Sequence, residues 1–187
     1  IGTPTAGPGG CYGGTQCACT VLNGNYPDYV NSRLVSPSIQ LPAIAVGEEI
    51  HLRFWHWFAF ANDAGYIQIS EETAPGVWSA WTNLTSYAGS SAVWTYPLVD
   101  MSAYAGKKIR IGFLLFQQAW PSSGVAAGWY VDNISIAVGQ TIVLNSGDNY
   151  ADGFEGGIGN WNASNGIWEI GTPTAGPGGC YGGTQCA

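Results

Sequence analysis

The sequence predicts an all-β chain folded as a two-sheet antiparallel β-sandwich, with Gly/Pro-rich loops and almost no helix. Three observations carry that expectation. Charged residues make up only 9% of the chain, whereas glycine numbers 28, tryptophan 9 and tyrosine 10, a mixture suited to turn-rich sheets. Residues 50–60 alternate with a period of two: Leu52, Phe54, His56, Phe58 and Phe60 share one face, and His51, Arg53, Trp55 and Trp57 the other. No segment sustains helical apolar periodicity over about ten residues.

The elements follow in order. The opening stretch, through Gly14, is Gly/Pro punctuation and reads as a loop crossing the module. Residues 19–22 form a short strand ended by Asn23-Gly24-Asn25, and residues 33–41 another, broken by Pro37; both are peripheral. Residues 50–60 are the central strand. Asn62-Asp63-Ala64-Gly65 then supplies a turn into 66–70, where Ile67 and Ile69 are in phase, so the two runs are expected to form a hairpin. An irregular stretch around Pro75-Gly76, Trp78 and Trp81 precedes strands at 92–99, 107–116 and 128–138. Residues 101–106 suit one short helical turn, and residues 141–144 a further strand.

Residues 1–18, IGTPTAGPGGCYGGTQCA, recur letter for letter as residues 170–187, which sets a repeat period of 169 residues. A unit of that length suits one domain with a full core. The chain therefore reads as a window on a tandem array. Residues 1–140 are expected to be a module lacking its opening strand, and 141–187 the connector, opening strand and loop of the next. Segment 148–170 leads straight into the repeated motif, with the opening strand near 150–155.

Net charge is −7 with only five Lys and Arg and no basic cluster, which disfavours nucleic acid and anionic membrane as partners and makes divalent cations plausible ones. No apolar run reaches the ~18 residues of a membrane span, and the first residues lack the charged start of a signal peptide. Cys11, Cys17 and Cys19 belong to one unit, and Cys180 and Cys186 are the next unit's copies of the first two. Three cysteines per unit allow one disulfide within a module and leave one thiol, free or available to a neighbour. Their spacing is a poor zinc pattern. Asn83, Asn133 and Asn162 stand in N-x-S/T sequons, acceptors for glycosylation on a secreted chain.

Taken together, FEGGIGNW (154–161), WEIGTPTAGPG (168–178), LNGNY (22–26), LVSPSIQL (34–41), LRFWHWF (52–58), GYIQIS (65–70), VDMSAYAGKKIRIGF (99–113) and GWYVDNISI (128–136) resemble the bacterial secreted MAM-like β-jelly-roll modules. The resemblance spans nearly the whole unit and rests on the order and spacing of these pieces. It implies a two-sheet jelly roll, commonly with a structural calcium, in a binding or scaffolding role without catalysis. The sequence departs from the family after Ser70, where Glu71-Glu72 replaces the usual acidic, Gly-rich turn.

Asp132 shares phase with Tyr130, Ile134, Ile136 and Val138, and a buried carboxylate needs a partner. Three readings stand: calcium held by hard oxygen ligands, hydrogen bonds from loop amides, or a position at a strand end. By resemblance Glu155 is the natural companion of the next module's Asp132, with Asp152 and Asp63 as weaker candidates. Trp55, Trp57, Trp78, Trp81, Trp94 and Trp120 could stack on sugar rings or pack in a core or between modules, the second being preferred. His56 shares the apolar phase and reads as a core histidine. No nucleophile elbow, phosphate loop or H-E-x-x-H appears, so the chain is expected not to be an enzyme. Two main functions compete: a structural extender or filament repeat outside the cell, whose partners are copies of itself and whose neighbours pass or exchange a strand, or a polysaccharide-binding module. A spacer beside a secreted enzyme is a third.

Overall fold

The computed structural model describes residues 1–117, 124–163 and 168–187. Among them run nine strands: β1 (Ala18–Cys19), β2 (Asn31–Val35), β3 (Ile39–Gln40), β4 (Glu48–Ala74), β5 (Val77–Trp78), β6 (Thr82–Ser90), β7 (Leu98–Asp100), β8 (Lys108–Gln117) and β9 (Gly128–Gln140), with one 3-10 turn at Ser102–Tyr104. All the ladders are antiparallel. The first half of β4 pairs with β9 on one side and β7 on the other. Its second half pairs with β8 and β6. The path β1-β9-β4-β8-β2 is therefore unbroken, and one curled sheet supplies both layers of an all-β sandwich.

The two layers meet through aromatic rings. Phe54 on β4 packs edge-on against Phe113 on β8 (5.2 Å between centroids), and Trp129 on β9 reaches Phe113 (5.6 Å), Phe60 (5.9 Å) and Tyr87 on β6 (6.0 Å). Ile50, Leu52, Ile67, Ile69, Ile109 and Leu115 complete a core with almost no solvent contact. At roughly 1.5–3 kcal/mol for each large apolar side chain fully buried, this interior is what holds the layers together.

The expected hairpin at Asn62-Asp63-Ala64-Gly65 does not form, because β4 continues through these residues. They mark a bend. Inward-facing positions are even-numbered before it (Ile50, Leu52, Phe54, Phe58, Phe60) and odd-numbered after it (Ile67, Ile69), and the pairing with β6 slips register between Ala59 and Ala64. From the Ala59–Ser90 pair to the Ala64–Ala88 pair β4 advances five residues against two on β6, an odd slip that flips the facing and carries the strand from one layer to the other. The corner is fastened from within: the Tyr26 hydroxyl donates to Asp63 Oδ2 (2.5 Å) and accepts from the Ala61 amide (3.0 Å). Gly65 is required there, since a Cβ would lie 2.6 Å from the Trp129 ring.

Three other expectations change. β6 was not anticipated, because only Leu84 and Tyr87 in it pack on the core and the periodic signal is correspondingly faint. The strand expected over 92–99 reduces to β7 and two isolated bridges, His56 to Thr95 and Tyr96 to Ala163. Neither 141–144 nor 150–155 is a strand. A strand requires a neighbour to hydrogen-bond with, and here local bonding closes turns instead: the Phe154 amide donates to Asp152 Oδ1, Gly157 to the Phe154 carbonyl and Trp161 to the Ile158 carbonyl. The connector touches the sheet edge at Ala163, which exchanges two backbone hydrogen bonds with Tyr96 (2.9 and 3.1 Å).

Candidate functional site

The outer face of the first layer is where the repeated motif sits. Residues 1–17 fold back on themselves: Gly2 and Cys17 exchange backbone hydrogen bonds, Cys11 and Cys17 are disulfide-bonded, and the Thr3 hydroxyl donates to the Thr15 carbonyl. This disulfide loop covers the sheet. Tyr12 stacks on Trp55 with centroids 3.6 Å apart and planes 11° from parallel, and Trp55 stacks in turn on Tyr96. Gly7, at φ 69°, rests against the ring of Tyr130, where a Cβ would collide. The Gly13 amide donates to Asp132 Oδ2 at 2.9 Å.

The second copy folds the same way. Gly171 pairs with Cys186, Cys180 is bonded to Cys186, and Thr172 donates to the Thr184 carbonyl at 2.6 Å, the distance found for Thr3 and Thr15. Eighteen identical residues thus make the same local structure in two different surroundings, so the loop encodes its own conformation. Its attachment differs. In the second copy Glu155 accepts from the amides of Thr184 (2.8 Å) and Gln185 (2.9 Å) and from the Thr184 hydroxyl (2.8 Å). Those donors favour the ionised carboxylate and hold Glu155 below the usual carboxylate range, the Gln185 amide most of all.

Asp132 is not on the core face. Trp129 and Val131 point inward, whereas Tyr130 and Asp132 stand opposite Trp57 and Trp55 on the outer face. The ladder to β4 slips between Arg53 and Trp55, with Asn133 taking φ 47°. This bulge flips the faces beyond it, so Ile136 packs toward the core although it shares phase with Asp132. Asp132 accepts from loop amides on both oxygens: beyond Gly13, its other oxygen accepts from the Asn133 amide.

The four candidate metal ligands are not gathered. Asp132 is held as above and Glu155 belongs to the second loop. Asp152 accepts from Tyr150, Phe154 and Trp161, and Asp63 is fastened to Tyr26 with its Oδ1 unpartnered. Among the described residues the one group with metal-ligand proximity is Cys11, Cys17 and Asp132, and its two sulfurs are spent in the disulfide. Among the described residues of this chain the four carboxylates do not form one cluster. Cys19, on β1, is the free thiol, and burial pushes its pKa up.

The tryptophans separate into two groups. Trp55, Trp57 and Trp94 lie under or beside the disulfide loop: Trp57 meets Tyr130 edge-on and donates to the Ala92 carbonyl, and Trp94 meets Tyr12. Trp78 and Trp81 carry cations, with Arg110 over Trp78 (4.0 Å) and Trp81 (5.4 Å) and Arg33 over Trp81 (4.7 Å). Trp120 lies outside the described residues. Asn83, Asn133 and Asn162 are all exposed. His56 is fully buried: its Nδ1 accepts from Trp129 Nε1 (3.2 Å), its Nε2 has no partner, and burial drives its pKa down to about 3. Sequence reasoning missed Tyr12 and Tyr96, the rings that enclose Trp55. The repeated motif itself was the available signal, since an aromatic residue inside a disulfide loop needs a surface to rest on.

No protein-family model matches the chain. It is 30% identical over 149 residues, 77% of its length, to Bacillopeptidase F of Bacillus subtilis (strain 168). The match spans 10% of that protein. No helix among the described residues is long and apolar enough to cross a membrane, and the two disulfides fit an oxidising compartment outside the cytoplasm.

Proposed function

We propose that this chain is a non-catalytic structural repeat of a secreted surface or filament protein, of the MAM-like jelly-roll kind, whose partners are further copies of the same unit. One observation carries the reading. The eighteen-residue motif folds twice into the same disulfide loop, once seated on a finished sandwich and once at the end of the connector, so each unit hands on a preformed plug for the next. The connector also touches the sheet it leaves: Ala163 bridges Tyr96, and the Trp161 carbonyl accepts from Arg53 Nη1 at 2.9 Å. Units joined in this way are coupled along the chain by passing a segment forward.

The rival readings are a polysaccharide-binding module and a spacer beside a secreted enzyme. The match to a tenth of Bacillopeptidase F supports the spacer reading only in placing a related segment within a larger protein. In the sugar-binding reading Trp78 and Trp81 are the relevant rings, because Trp55 is stacked between Tyr12 and Tyr96. Sedimentation with insoluble polysaccharides tests this. We expect no saturable pelleting of the 187-residue chain; pelleting abolished by Trp78→Ala or Trp81→Ala would replace the structural reading with the binding one.

A further inference from the structure

Asp132 and Glu155 hold the same loop by different amides. Asp132 takes Gly13 in the first copy; Glu155 takes Thr184 and Gln185, the counterparts of Thr15 and Gln16, in the second. The two seats do not compete for a donor. In the first copy Thr15 and Gln16 are exposed, and their amides have no partner among the described residues. The glycines beside them make the comparison sharper. Gly14 and Gly183 share the left-handed backbone at φ 65° and 73°. A Cβ on Gly183 would run into the Glu155 carboxylate, whereas no atom lies within 4 Å of the same point on Gly14. Conformation, sequence and disulfide are the same, so the first loop presents the donor set that the second uses.

We propose that each disulfide loop is clamped between two carboxylates that flank it in the array: Asp132 of the module it covers, and the Glu155 carried by the connector copy that precedes the loop, seated on the Thr15 amide, the Thr15 hydroxyl and the Gln16 amide. This rests on the structural-repeat reading and specifies its joint. The left-handed glycine turns the following amides toward one point, a backbone anion seat, and it has no side chain to obstruct the incoming carboxylate. Closure of the loop by the disulfide keeps those amides in place before the acid arrives, so little ordering cost remains. The seat selects a carboxylate on a flexible Gly-rich segment, which FEGG at 154–157 provides.

The test compares the 187-residue chain with one in which residues 148–169 are added ahead of Ile1, reproducing the natural junction between Glu169 and Ile170. Amide exchange is followed by NMR. The extended chain should slow exchange at Thr15 and Gln16 by on the order of tenfold, and Glu155→Ala in the added copy alone should abolish the effect. Gly13, held by Asp132, reports that the loop remains docked throughout. In the unextended chain, Glu155→Ala should speed exchange at Thr184 and Gln185. The proposal is overturned if Thr15 and Gln16 exchange alike with and without the added segment, or if the added Glu155→Ala leaves their protection intact. Either failure leaves the repeat reading standing, since that reading concerns how units are arrayed.

Discussion

Acidification from pH 6.5 to 4.5 should cost the fold about 2–3 kcal/mol through His56 alone, rising to about 4 kcal/mol as pH approaches 3. The imidazole is fully buried under Trp129, Phe54, Phe58 and Tyr87, and burial lowers its pKa from 6.5 to about 3. Between those values the unfolded chain binds a proton that the folded chain refuses. Stability is therefore complete above the unfolded pKa and declines as pH falls toward the folded one. The depressed carboxylates act lower: Asp100, Asp152 and Glu155 lose their stabilising contribution only as pH falls through their own, reduced pKa values. Urea denaturation at a series of pH values measures the slope. His56→Phe should be less stable near pH 7.5 by about 1–3 kcal/mol, because Trp129 Nε1 loses its acceptor, yet nearly flat down to pH 4.5. A variant that keeps the wild-type slope would show that another group is responsible.

Trp129→Ala should cost about 3–5 kcal/mol, enough to unfold a domain of ordinary stability or leave it marginal. Its ring joins the two layers, touching Phe60, Tyr87 and Phe113 and donating to His56, and its removal leaves a cavity between sheets that β4 holds at a fixed distance. Trp55→Ala should cost only about 1–2 kcal/mol, the value of its stacked pairs with Tyr12 and Tyr96, and should release the disulfide loop without melting the sandwich. Thermal unfolding of both variants, with Gly13 exchange as the local reporter, checks this contrast. Equal losses at the two positions would mean that the loop belongs to the core and is not a docked plug.

The sandwich was legible because alternation in 50–60, 107–116 and 128–138 reflects burial of one face, and burial dominates the energetics. What escaped was geometry set by single residues. Asn62 and Asp63 look like a reversal, but Tyr26, some thirty-five residues earlier, converts them into a corner. Asn133 inserts one residue into β9 and moves Asp132 to the outer face, which no count of apolar phase can register. The paired disulfide loops were half visible: the repeat announced them and allowed the bond, but only the fold chose Cys11 with Cys17 and left Cys19 free. Asp132 and Glu155 were singled out as carboxylates in need of partners, and each finds loop amides; that both would meet the repeated loop was not legible, because it depends on the backbone the disulfide closes.

In the proposed array, neighbouring units are locked together by the preformed loop seated between them. Electron microscopy of a chain carrying three consecutive 169-residue repeats tests it most directly. Straight rods with uniform spacing from one unit to the next are expected, loosening into irregularly jointed beads when Cys11, Cys17 and their copies are changed to alanine. Freely jointed beads in the unaltered chain would contradict it.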